Sequence, residues 1–175
     1  MKFTLNPHTQ NRRMRHPAAP PARLSLLKMR HPPVRAVLLE CYRGYLRRTA
    51  LFTGFPKDVK WRRVELEHAD LDRLRYISKE EHWVMYSEGT RQPKRVVDKI
   101  AHGEFPDLAR KVGAIQEKLG RGETLPELVA VEGTGSDLIL IEGAHRTTAY
   151  MALRWSKNVA AFIGSSPLMS KWYFY

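Results

Sequence analysis

The sequence predicts an α+β domain, a small mixed sheet with flanking helices, preceded by a basic N-terminal arm and helix. Three observations lead there. Within FPDLARKVGAIQEKLGRG, residues 105–122, Leu108, Val112, Ile115 and Leu119 recur at the spacing of one helical face. Two short apolar runs, ELVAVE and LILIEG, flank the turn signal GTGSD, so residues 127–142 read as a hairpin. Charge, finally, is segregated. Residues 1–60 hold 13 Lys/Arg against Glu40 and Asp58, a net +11, whereas residues 61–175 hold 17 against 16, a net +1. The resulting organisation is a basic Pro-rich arm over 1–33, a basic amphipathic helix and linker over 34–60, and a domain over 61–175.

A chain of 175 residues, 43% of them hydrophobic, suffices for one domain with a real core plus an arm. It has no run of 18 apolar residues, so neither a transmembrane helix nor a membrane partner is expected. Cys41 is the one cysteine. That excludes an intramolecular disulfide and a thiolate metal cluster, and it fits a reducing, cytoplasmic compartment. The basic first third suggests an anionic partner such as nucleic acid, a solubilising arm being the plainer reading.

The elements follow in order. Pro7, Pro17, Pro20, Pro21, Pro32 and Pro33 with scattered arginines favour an extended arm over residues 1–33. In residues 34–52, Val34, Val37, Leu38, Cys41, Tyr42, Tyr45 and Leu46 fall at helical spacing after Pro33. Arg43, Arg47 and Arg48 share the other side, as a nucleic-acid-binding face or as solvated charges. GFPKD breaks that helix. WRRVELEHADL then alternates Val64, Leu66 and Ala69 with polar residues, as a half-buried strand does. ISKEEHW resembles a helix start, with Ser78 capping and Glu81 three residues on. The 105–122 helix ends at Gly120 to Gly122. After the hairpin, AHRTTAYMALRW reads as a short helix and NVAAFIG as a last strand. Trp83, Tyr86 and Trp155 are expected in the core, and His68, His82 and His102 are too scattered for metal-ligand spacing. The aromatic ending KWYFY is expected to pack, as a final strand or in a homodimer contact.

The candidate site is LILIEGAHRTTAYMAL, residues 138–153, where a strand passes through Gly143 into a helix. A helix start presents unpaired N–H groups and a partial positive charge, and phosphates bind there. Gly143 permits a sharp turn and close approach, and the amides of Ala144 and its successors point outward. Arg146 suits a bidentate phosphate clamp, Thr147 and Thr148 offer hydroxyls, and His145 can donate a hydrogen bond or carry a proton. Glu142 suits either a magnesium ion or the role of a base. The alternative is an ordinary junction, with Arg146 paired to an acid and Thr147 capping the helix.

The tract ELVAVEGTGSDLILIEGAHRTTAYMAL resembles the ParB N-terminal domain/sulfiredoxin superfamily, over roughly residues 61–165 and most specifically over 138–150. Gly143, His145, Arg146 and Ala149 match its Gly-x-His-Arg-x-x-Ala turn. The resemblance implies a small α+β fold that binds nucleotide phosphates at this turn. Ala144 stands where sulfiredoxins carry a catalytic cysteine, and His145 stands where partition proteins have glutamate. RQPKR echoes a Gln-Pro-Arg box upstream, which adds Arg91 and Lys94 as phosphate ligands. Glu142 resembles the acidic residue that free-serine kinases of the superfamily use as a base. Together these readings make the expected activity a phosphotransferase or hydrolase that uses ATP or another nucleotide with magnesium, Glu142 and His145 being catalytic. The alternative is a ParB-like nucleic-acid-binding protein acting through its basic third. In that case anisotropy measurements will show affinity falling roughly a thousandfold between about 50 and about 200 mM salt for ~6 phosphate contacts. A flat response would exclude backbone binding.

Overall fold

The computed structural model describes residues 49–175. The arm expected over 1–33, and the 34–48 part of the expected helix with Cys41, Arg43, Arg47 and Arg48, lie outside the described residues. After a short 3₁₀ turn at Thr49–Phe52 come β1 (Lys60–Leu66), α1 (His68–Leu71), β2 (Leu74–Tyr76) and α2 (Glu81–Tyr86). Then follow α3 (Pro93–Ala101), α4 (Pro106–Gly120), β3 (Leu128–Glu132), β4 (Leu138–Glu142), α5 (Ala144–Ala152) and β5 (Val159–Ser165). The strands form one mixed sheet in the order β1-β5-β3-β4-β2. β1 and β5 are antiparallel, β5 and β3 parallel, β3 and β4 antiparallel, and β4 and β2 parallel. Among the described residues no helix is long and apolar enough to cross a membrane.

The sheet separates two apolar clusters. On one face, Leu128, Ala130, Leu138 and Leu140 pack with Val96, Leu108, Val112, Leu119, Ala149 and Met151 of the helices α3, α4 and α5. On the other, Val129, Val131, Ile139 and Ile141 pack with Leu51, Phe55, Val59, Met169 and Trp172. This explains why the inner strands read as unbroken apolar runs rather than alternating ones. Strands covered on both faces need apolar residues at every position.

KWYFY packs only in part and not as a strand: Trp172 is buried, Phe174 and Tyr175 pack partly buried, and Tyr173 is 54% exposed. Its segment turns through a 3₁₀ stretch at Met169–Lys171 and lays Trp172 beneath the sheet. The Trp172 indole donates to the Leu51 carbonyl at 2.7 Å, and Tyr173 N–H donates to the Thr53 carbonyl at 3.0 Å. The two chain segments thus clasp each other over the back face. Ser78 serves the same clasp. Its N–H donates to the Phe174 carbonyl at 3.1 Å, while α2 starts later, with Glu80 at the cap position.

Ala69 falls in α1 rather than in a strand. The Glu67 N–H donates to Asp70 Oδ2 at 3.1 Å, and this local bond ends β1 at Leu66. α4 keeps its predicted stripe and closes at Gly120, with Gly122 at φ +77°. Trp83 is buried, and Tyr86 and Trp155 pack half-buried at the edge of the helical core.

Trp172 anchors the back cover with both packing and a buried hydrogen bond. Trp172→Ala should therefore cost about 3–5 kcal/mol, measured by urea unfolding. A loss under about 1 kcal/mol would mean that the clasp contributes little.

Candidate functional site

Glu142 ends β4 and Ala144 opens α5, so one residue must turn the chain. Gly143 does so at φ 102°, ψ 20°. Two facts demand glycine there. The backbone is left-handed, and a Cβ would collide with the Leu128 side chain. Next to it the β3–β4 ladder shifts register between Val129 and Ala130, which leaves Glu142 opposite Val129.

The turn borders an open cleft of about 460 Å³. Its lining is Glu142 to Arg146, the apolar side chains of Trp83 and Ile115, and the charged Glu80 and Lys111. Gly143, at the cap position of α5, has no side chain to bond the helix start, and the first intrahelical bond is Thr147 N–H to the Gly143 carbonyl, at 2.8 Å. The amides of the first turn therefore have no acceptor within the helix.

The helical period decides which predicted residues reach this cleft. Ala144, Thr147, Thr148 and Met151 share the buried face of α5, while His145 and Arg146 are half-buried on the outer side. Thr147 and Thr148 thus point under the helix and do not line the cleft. The Thr148 hydroxyl donates to the Ala144 carbonyl at 2.8 Å, so the Tyr76 phenol, 2.7 Å away, must donate to it. Burial pushes the Tyr76 pKa far above its ordinary value, and the phenol stays a neutral donor. Thr147 Oγ1 is buried without a hydrogen-bond partner and does not cap the helix.

Arg146 is held from two sides. Its Nη2 donates to the Glu127 carbonyl at 3.2 Å and lies 3.6 Å from Glu142 Oε1. The second distance is an ion pair without a hydrogen bond. Its Nε is buried with no partner. The acid pairing foreseen as the plain alternative is therefore present, yet the arginine still lines the cleft. His145 meets the Trp83 ring edge-on, with centroids 4.9 Å apart.

Arg91 and Lys94 are not brought to the turn. Arg91 braces the open edge of β2. Its Nε donates to the Tyr76 carbonyl at 2.7 Å, and its own carbonyl accepts from Tyr76 N–H at 2.9 Å. Lys94 lies exposed on another groove, with His68, Asp72, Asp98 and Arg154. Conversely, Glu80 and Lys111 reach the cleft although nothing in their local sequence marks them. Lys111 is a polar-side residue of α4, and only the packing of α4 against α5 brings it near the turn.

Among the described residues, no three His, Cys, Asp or Glu side chains gather as a metal-binding group. A magnesium ion at Glu142 would take most of its ligands from phosphate and water, as magnesium commonly does. The open volume, the helix start and the Arg146 and Lys111 cations could receive a phosphate group, while Glu80 and Glu142 in the same lining balance their charge. The chain matches no protein-family model, no curated protein and no solved structure.

Gly143→Ala should destabilise the protein by about 1–3 kcal/mol through left-handed strain and the Leu128 clash. Thermal melting tests this, and an unchanged midpoint would mean that the turn tolerates a side chain.

Proposed function

We propose that the protein binds the phosphates of a nucleotide, with magnesium, on the Glu142–Arg146 turn and transfers or hydrolyses the terminal phosphoryl group. The observation that carries this reading is the start of α5, with a glycine at its cap position, opening onto a cleft of about 460 Å³ lined by Arg146 and Lys111. The resemblance of residues 138–150 to the ParB/sulfiredoxin superfamily supports it.

In this reading the amides at the start of α5 and the Arg146 guanidinium hold phosphate oxygens. Lys111, in the same lining, neutralises further charge. An incoming phosphate competes with Glu142 for Arg146, because the two lie 3.6 Å apart. Glu142 thereby gains freedom to take a proton from an acceptor hydroxyl or to hold the metal. His145 donates to the transferring group. Magnesium, when bound, supplies charge neutralisation of the phosphates. Positioning and electrostatics are what phosphoryl transfer chiefly requires. A nucleic-acid reading draws on the +11 of residues 1–60, since residues 61–175 carry only +1.

A thermal-shift panel of ATP, ADP, CTP and GTP with magnesium should give a rise of several degrees for one nucleotide, abolished in Arg146→Ala. Glu142→Gln should keep the shift and lose turnover by about 10²-fold or more. No shift with any nucleotide would reject the phosphate site. Full turnover in Glu142→Gln would reject the base.

A further inference from the structure

We propose that Trp83 is a positioning residue that fixes the orientation of His145 in the cleft, and that Tyr76 and Thr148 hold Trp83 in place. The inference deepens the phosphate reading and rests on it for its functional consequence. The orientation itself is argued from the ring contact of Trp83 with His145 and not from that reading.

His145 stands on the outer side of the first turn of α5, half-buried. An imidazole there has two rotatable bonds, and its nitrogens serve a ligand only when the ring is held. Trp83 presents its indole to that ring at 4.9 Å and 75°, an edge-to-face geometry. Trp83 is itself 5% exposed and cannot swing away. It stacks on Tyr76 at 4.5 Å and 24°, and meets Tyr86 edge-on at 5.6 Å. The Tyr76 phenol bonds to the Thr148 hydroxyl at 2.7 Å, and Thr148 bonds to the carbonyl of Ala144 at 2.8 Å. Ala144 is the residue beside His145. The contacts therefore form a closed loop through β2, α2 and α5 that returns to the first turn of the helix.

Each member of the loop other than His145 is uncharged. A change at Trp83 or Tyr76 thus alters how His145 is held without altering the charges of Arg146, Lys111 or Glu142. Trp83 also lines the cleft, so the brace extends from the buried face of α5 to the ligand side. Burial alone would be met by any large apolar side chain at position 83. The edge-to-face contact with His145 needs an aromatic one.

The test is proton NMR of the histidine rings in the full chain, with His145 assigned through His145→Gln. The indole ring current should displace the His145 ring resonances from those of the exposed His68 and His102. Trp83→Leu should remove the displacement and weaken MgATP binding about tenfold, while Trp83→Phe should retain both in large part. Unchanged His145 resonances in a folded Trp83→Leu protein would overturn the proposal. So would a Trp83→Phe protein as impaired as Trp83→Leu, because then only volume matters. If Trp83→Leu does not fold, Tyr76→Phe removes one hydroxyl and leaves the Thr148 bond to Ala144. A partial loss of displacement there supports the brace, and none overturns it. If wild type binds no MgATP while the resonances still follow Trp83, the phosphate reading fails and the contact of Trp83 with His145 stands.

Discussion

The middle of the sheet is dry on both faces. Leu128, Val129, Ala130 and Val131 are fully buried, and β3 lies between β5 and β4. Such a strand has no solvated side, so two separate covers are obligatory. The helices α3, α4 and α5 supply one, and the segments flanking the domain supply the other through Leu51, Phe55 and Trp172. The site depends on this constraint. β4 is pinned between β3 and β2 over Leu138–Leu140, and its last residue, Glu142, is placed opposite Val129 of β3. α5 must lie back across the sheet to cover it, which forces a one-residue turn at Gly143. The Leu128 side chain that seals the core is also what forbids a side chain at Gly143.

The same packing decides what the turn can do. α5 buries Ala144, Thr147 and Thr148 and leaves His145 and Arg146 facing the cleft. Its buried hydroxyls belong to the scaffold, with Thr148 tying the helix to Tyr76 of β2. Its outward side chains, His145 and Arg146, line the cleft. Arg146 is pre-set by the Glu127 carbonyl and by Glu142, with side-chain exposures of 16% and 19% for the Arg146–Glu142 pair. An arginine held in this way loses less side-chain entropy on meeting an anion than a free one does. Glu142 is the partner that holds it and, in the proposed reading, the competitor of an incoming anion.

Much of this was legible in residue order. The stripe Leu108, Val112, Ile115 and Leu119 announced α4, and GTGSD between two apolar runs announced the β3–β4 hairpin. Gly143 between a strand-like and a helix-like run announced the turn. These signals are local, because periodicity and turn chemistry act over a few residues. Other features depend on distant packing. Thr147 and Thr148 read as donors at a helix start, but the phase of the helix against the core turns them inward. Lys94 and Arg91 follow one another closely in sequence, yet Arg91 is taken up by the edge of β2 while Lys94 faces another groove. KWYFY was legible as an aromatic segment that packs, which holds for Trp172, but not as a clasp, because its partners Leu51 and Thr53 lie more than a hundred residues earlier. Lys111 had no local signal, since a lysine on a polar helix face is the commonest of surface residues.

The central claim is that the start of α5 receives phosphate. It is tested most directly by following backbone amide resonances during titration with MgATP. Binding at the turn predicts that the amides of Gly143, Ala144, His145 and Arg146 move first and furthest, with Lys111 of α4 following. The amides beside Lys94, on the other groove, should stay in place. Saturable shifts confined to residues away from the turn, or no shifts at any nucleotide concentration, would contradict it.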